Sequence, residues 1–146
     1  MKSFSAKNTG QTVILHLKKG DLVLENITEE FRRLGIRDAV LASGIGSLRK
    51  MAYHVITQTT DQSVDEFATL EDAIEVGAMQ GMILDGEPHL HLVCSGSDGK
   101  TYVGHLENGT EVQYLLELAF TVLDTGGLGR KKDEFGISYI DIVRGA

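Results

Sequence analysis

The feature that most constrains the fold of this chain is an alternation of apolar and polar residues with a period of two. The segments 12–18 (TVILHLK) and 51–58 both show it, which predicts half-buried β-strands. The segment 112–123 is almost continuously apolar, so a buried helix is an alternative there. A strand is favoured because a period of two is kept by Val112, Tyr114, Leu116, Leu118, Phe120 and Val122.

The rest of the chain adds one helix and several shorter strands. Val23, Ile27, Phe31 and Leu34 recur at helical spacing, and Gly35 follows where a C-terminal cap is expected. Further strands are predicted at 37–42 (running on into SGIGSLRK), 63–70, 73–84, 89–95, 101–106 and 137–143, with a glycine-rich loop at 124–133. The predicted fold class is α+β, mostly antiparallel sheet with one main helix. The length of 146 residues predicts a single domain over 1–146.

Charge and cysteine content restrict the function classes. The formal net charge is -7, from 14 Lys and Arg against 21 Asp and Glu. This balance argues against a simple binder of phosphate backbones, whose affinity comes from basic residues. Cys94 is the only cysteine, so an intrachain disulfide is excluded and a reducing compartment is expected. The N-terminal residues resemble no secretory signal and no segment is apolar enough to span a membrane, so we expect a cytoplasmic protein.

Three of the five histidines fall in one predicted hairpin. His89 and His91 are two residues apart, so on a strand they lie on the same side, roughly 6.7 Å apart along the chain. A two-residue turn at Asp98-Gly99 would place His105 opposite Leu92, on the wrong side. A three-residue loop, with Gly99 left-handed, would instead pair His105 with His91. The second register is favoured because it groups polar with polar and apolar with apolar side chains.

These three imidazoles predict a metal site. Neutral imidazoles suit a divalent ion such as Zn²⁺, and three protein ligands leave one position for water or substrate. The alternative is that they are surface histidines on a solvent-facing strand. Glu87 is a candidate catalytic carboxylate, which would either support the metal ligands or accept a proton. The alternative interpretation is that Glu87 is an ordinary loop residue exposed to solvent. His16 and His54 are assigned to packing or surface, and Cys94 to the core.

The glycine-rich segment SGIGSLR at 43–49 admits two interpretations. It resembles half of a phosphate loop, but it lacks the third glycine and continues as a strand. Gly44 and Gly46 are therefore expected to permit a bulge or close backbone packing beside the site. Arg49 is a candidate contact for an anion, with an ordinary surface arginine as the alternative. These three residues are the candidate pocket or anion contacts.

The motifs SGIGSLR at 43–49, GEPHLHL at 86–92 and GHL at 104–106, followed by the glycine turn at Gly109, resemble the plants and prokaryotes conserved (PPC) domain. The resemblance covers nearly the whole chain. It implies a compact sandwich-like domain of antiparallel sheets that assembles as a homotrimer. It also implies a metal site at the histidines His89, His91 and His105. Plant members carry AT-hooks and act in the nucleus, and stand-alone prokaryotic members are provisionally named DNA-binding proteins. This chain has no AT-hook.

Three functions follow from this pattern. The first is a metal-binding homotrimer with a three-histidine site, whose cofactor is a divalent metal, most simply zinc. The second is a metal-dependent enzyme that uses a metal-activated water. The third is a DNA-binding regulatory protein, which the charge of the chain does not favour. One helix covers only part of a sheet face, so we expect residues 112–123 to contribute to the interface between subunits.

Overall fold

The computed structural model describes residues 1–145, which form eight strands and one helix. The helix follows the first strand, and the other seven strands follow the helix. The helix is α1 (Val23–Leu34). The strands are β1 (Lys7–Lys18), β2 (Ala39–Ile56), β3 (Asp65–Leu84), β4 (Glu87–Ser95), β5 (Thr101–Leu106), β6 (Glu111–Asp124), β7 (Leu128–Lys132) and β8 (Ser138–Ile142).

The first six strands form one antiparallel sheet in the order β1-β6-β2-β3-β4-β5. The long strand β2 pairs with β6 on one side and with β3 on the other. At its far end β2 also pairs with β5, through Tyr53 with Leu106 and His54 with His105. The sheet therefore curls until β2, β3, β4 and β5 form a closed circuit. The short strands β7 and β8 make a separate hairpin.

Helix α1 covers one face of the sheet. Its buried residues Val23, Ile27 and Phe31 are spaced at four residues, so they form one apolar stripe. Phe31 packs edge-on against Phe120 of β6, with ring centroids 4.8 Å apart. The helix ends at Gly35, whose φ of 68° is left-handed and whose N–H bonds back to Arg32. The amphipathic helix and its glycine cap are as predicted.

The strand predictions hold in kind but not in every boundary. The segments predicted at 37–50 and 51–58 are one strand, β2, and those at 63–70 and 73–84 are one strand, β3. The segment 112–123 is a strand, as favoured. The period of two breaks at Tyr114, which is 73% exposed. Gly46 of β2 pairs with Leu116 of β6, and Leu48 pairs with Val112. Between these two pairs β6 has two residues more than β2, so it bulges there.

The predicted loop at 124–133 was partly wrong. Its second half is strand β7, which pairs with the predicted last strand β8. Glycines and three consecutive basic residues hid this strand, since neither gives an alternating apolar pattern. The single cysteine, Cys94, is buried in the core, 3.3 Å from the Met51 sulfur. Within residues 1–145 there is no helix with the length and apolar character needed to cross a membrane.

Candidate metal centre

The β4–β5 hairpin adopts the three-residue loop. Gly96 N–H donates to the Lys100 carbonyl at 3.0 Å, and Gly99 has a left-handed φ of 75°. His91 consequently lies directly opposite His105. The intervening residues Leu90, Leu92 and Cys94 are at most 3% exposed and point into the core. The alternation of the hairpin thus puts its histidines on the side away from the core.

The three histidine rings meet at one point on this side. The Nε2 atoms of His89 and His91 lie 3.2 Å apart. The ring of His105 lies with its centroid 4.8 Å from that of His89 and 5.3 Å from that of His91. Two nitrogens bound tetrahedrally at the usual Zn–N distance of about 2.0–2.1 Å would be about 3.3 Å apart. The spacing of the first pair therefore fits a common divalent ion.

All three imidazoles favour the neutral form. Burial lowers the pKa of His89 to about 4, and the positive charges of Arg130 and the neighbouring histidines act in the same direction. Burial and then the charge of His54 lower the pKa of His91 and of His105. At neutral pH the ring nitrogens are therefore available as lone-pair donors, the form in which histidine binds metals.

A second group of potential ligands adjoins the first and was missed by sequence reasoning. His54 stacks on His105 with ring centroids 4.5 Å apart, and its Nδ1 contacts a Glu107 carboxylate oxygen at 2.5 Å. His54, His105 and Glu107 together offer ligand atoms within 4.8 Å of one another. Assigning His54 to packing or surface overlooked this cluster. The pairing of β2 with β5 creates it, and no local pattern encodes that contact.

Two charged side chains flank the histidines. Glu87, the candidate carboxylate, is exposed at the start of β4. Arg130, on β7, is half-buried, and its positive charge acts on His89 and His105. Burial lowers the pKa of Arg130, while the nearby Glu87 carboxylate opposes this shift. The sequence pattern does not point to Arg130, because it predicts a loop over residues 124–133.

The glycine-rich segment lies in β2. A Cβ on Gly44 would come within 2.8 Å of Met79, and one on Gly46 within 2.7 Å of the Leu116 backbone. The register of β2 against β6 shifts on both sides of this stretch. Gly46 also lines an open groove of about 370 Å³ with Tyr114 and Leu115. Arg49 is exposed and lies 3.6 Å from Glu111.

Solved structures share this fold. A metal-containing protein from Archaeoglobus fulgidus is 28% identical, with a TM-score of 0.76, over 93% of this chain and 95% of that one. A plant- and prokaryote-conserved protein from Pyrococcus horikoshii is 23% identical, with a TM-score of 0.76, over 99% and 98%. A protein from Bacteroides thetaiotaomicron, provisionally named DNA-binding, is 18% identical, with a TM-score of 0.78, over 97% and 99%.

Curated sequences give a shorter match. The bifunctional protein GlmU of Synechococcus sp. (strain JA-3-3Ab) is 25% identical over 104 residues, 71% of this chain. The chain spans only 16% of the length of that relative. The family model of the Plants and Prokaryotes Conserved (PCC) domain matches residues 4–124, which include all the histidines described above. The resemblance seen in the sequence is therefore confirmed, and the chain belongs to the Plants and Prokaryotes Conserved domain family.

Proposed function

We propose that this protein binds a divalent metal ion, most simply Zn²⁺, through His89, His91 and His105. The observation that carries the proposal is the convergence of three neutral imidazoles, two of them with Nε2 atoms 3.2 Å apart. Nitrogen ligands of this kind suit zinc and its neighbours among the transition metals, and do not suit calcium or magnesium. The metal-containing protein from Archaeoglobus fulgidus, which shares this fold, supports the binding of a metal ion.

Three protein ligands also favour a second candidate function, a metal-dependent enzyme. A bound zinc ion with an open position lowers the pKa of a water ligand and supplies a nucleophile near neutral pH. In this chain the neighbouring groups are Arg130, which carries a positive charge, and Glu87, whose exposed carboxylate lies near Arg130. Glu87 is therefore our candidate for the catalytic carboxylate.

We also propose a homotrimer, built from one domain spanning 1–146. The outer face of β1, β6 and β2 carries exposed apolar side chains, among them Ile14 and Tyr114, which are 75% and 73% exposed. Closed symmetric assembly is the usual way to bury such a face. A reducing, cytoplasmic location is proposed because the sequence has a single cysteine, Cys94, and so cannot form an intrachain disulfide.

A DNA partner is allowed by the name of the Bacteroides relative, but the charge of this chain does not favour it. With a net charge of -7, each additional subunit adds negative charge that repels phosphates. Some of the basic groups are also already paired with carboxylates on exposed surfaces, among them four arginines: Arg32, Arg33, Arg37 and Arg49. Metal binding is therefore the function that the geometry supports best.

The metal proposal is tested by His91→Ala and elemental analysis. The wild-type protein is expected to carry stoichiometric metal, and the variant is expected to lose it, because two imidazoles hold an ion far less tightly than three. His16→Ala is the matched control, since His16 lies on the exposed side of β1, 3.5 Å from Glu117. Its metal content should equal that of the wild type.

A further variant separates the two ligand groups. Glu107→Gln removes a ligand of the His54–His105–Glu107 group and leaves the three-histidine group complete. We expect it to retain metal. Full metal content in His91→Ala, with loss in Glu107→Gln, would place the ion in the second group and contradict the proposal.

A further inference from the structure

The β7–β8 hairpin places Arg130 at the edge of the histidine cluster. Arg130 lies in the middle of β7, paired with Ile140 of β8, outside the residues 4–124 matched by the family. The preceding Gly129 allows β7 to lie close to its neighbours, because a Cβ at this position would lie 3.3 Å from Asp85 and closer still to Val143. Since Asp85 is in the turn between β3 and β4, β7 packs beside the start of the histidine strand.

Arg130 differs from the other arginines in having no carboxylate oxygen within 4 Å among the described residues, although the Glu87 carboxylate is near enough to oppose the lowering of its pKa. Within residues 1–145 each of the others lies within 4 Å of a carboxylate oxygen: Arg32, Arg33, Arg37, Arg49 and Arg144. The Nε atom of Arg130 is buried and has no hydrogen-bond partner among these residues. Buried cations in proteins are normally paired, because the loss of hydration is otherwise uncompensated. A half-buried guanidinium whose Nε has no direct partner indicates a place for an external anion.

The same side chain borders a groove of about 580 Å³, lined by Lys2, Phe4, Arg130, Ser138, Tyr139 and Ile140. Its size is typical of small-molecule sites. Lys2 shares the single Asp141 carboxylate with Lys131, at 3.3 and 3.5 Å, and Arg130 adds a second cation to the groove. Phe4 and Tyr139 are 40% and 38% exposed and offer apolar surface. The groove thus combines positive charge with aromatic walls.

We propose that this groove binds a small organic oxyanion, a carboxylate or a phosphate monoester with an apolar body, whose charged head is held by Arg130 beside the histidine cluster. The guanidinium matches either oxyanion through two parallel N–H donors. The apolar body lies against Phe4 and Tyr139. This inference rests on the proposed function, since it names the class of molecule that the metal site would serve.

The test is calorimetric titration of the zinc-loaded protein with phenylacetate, phenyl phosphate and benzyl alcohol. We expect one or both anions to bind and the neutral alcohol to bind much more weakly. Arg130→Gln should weaken anion binding by roughly ten- to a hundredfold, the effect of losing a charge-assisted pair. Arg130→Lys, which keeps the charge but not the planar fork, should fall between. Lys132→Gln removes an exposed charge from the same strand and should bind as the wild type does.

Metal content, measured on each variant by elemental analysis, separates this inference from the metal proposal. Loss of anion affinity with unchanged metal in Arg130→Gln would support the inference. Unchanged anion affinity in that variant, or no anion binding by a wild-type protein that holds its metal, would overturn it. A wild-type protein that takes up no zinc would instead contradict the proposed function. A preference between phenylacetate and phenyl phosphate identifies the head group.

Discussion

At the scale of single residues, the chemistry of the site depends on where each histidine lies. His16 is on an exposed strand, whereas His89, His91 and His105 converge on one side of the β4–β5 hairpin, where His89 and His105 are half-buried and His91 is exposed. Burial is the largest cause of the lowered pKa at each of these three, and the charges of neighbouring cations add to it. These surroundings favour the neutral form of the three histidines. Their ring nitrogens are therefore available to bind a metal cation, and protonating them costs free energy in the folded state.

This predicts that the metal-free protein loses stability as the pH falls from 7 to 5. The pKa of His89 is about 4 in the folded state, below the usual 6.5, so the unfolded chain binds more protons in this window. Stability is then highest above pH 6.5 and declines on acidification. Urea unfolding of the apo-protein at pH 7, 6 and 5 measures the effect, and His89→Gln should flatten it. Equal or greater stability at pH 5 in the apo wild type would contradict the prediction.

At the scale of elements, the hairpin was predictable and its closure onto β2 was not. Alternation within residues 89–106 fixes the register, because only one pairing puts Leu90 and Leu92 in the core and His105 beside His91. The pairing of His54 with His105 joins segments about fifty residues apart and leaves no local signal. The strand β7 was missed for a related reason. Its glycine and basic residues show no alternating pattern, and only their pairing with β8 makes the segment a strand.

The contact between β5 and β2 depends on Gly104. A Cβ there would lie 2.6 Å from the Tyr53 ring and 2.9 Å from the His54 carbonyl oxygen. Gly104→Ala should therefore force the strands apart, cost about 1–3 kcal/mol of unfolding free energy and weaken metal binding by displacing His105. Denaturant unfolding and metal titration measure the two effects.

The matched control is Gly77→Ala in β3. The nearest atom to a Cβ at Gly77 is the Val93 carbonyl oxygen at 3.8 Å, an ordinary contact. This variant should be neutral or slightly more stable, since alanine restricts the unfolded chain. Equal effects of the two substitutions would show that close packing at Gly104 does not hold β5 against β2.

At the scale of the whole molecule, one helix cannot cover both faces of so long a sheet. Helix α1 buries its stripe against one face. On the other face Ile14 lies opposite Ala119, and Ile45 lies opposite Glu117. Ile14 and Ile45 are 75% and 50% exposed, and Tyr114 and Leu115 extend this apolar surface where β6 bulges. An apolar face of this kind is typical of a subunit interface, and the family resemblance makes three the expected number of subunits.

We therefore predict that Tyr114→Glu dissociates the assembly before it unfolds the chain. The side chain is 73% exposed within one chain, so a charge there leaves the core intact but would be costly once buried between subunits. Light scattering should give three times the 15.9 kDa chain mass for the wild type and the single-chain mass for the variant, with circular dichroism unchanged. Ile56→Glu, at the far end of β2 and 69% exposed, is the control and should remain assembled. A wild-type mass of 15.9 kDa at micromolar concentration would contradict the trimer, because the apolar face would then be exposed to solvent in the native protein.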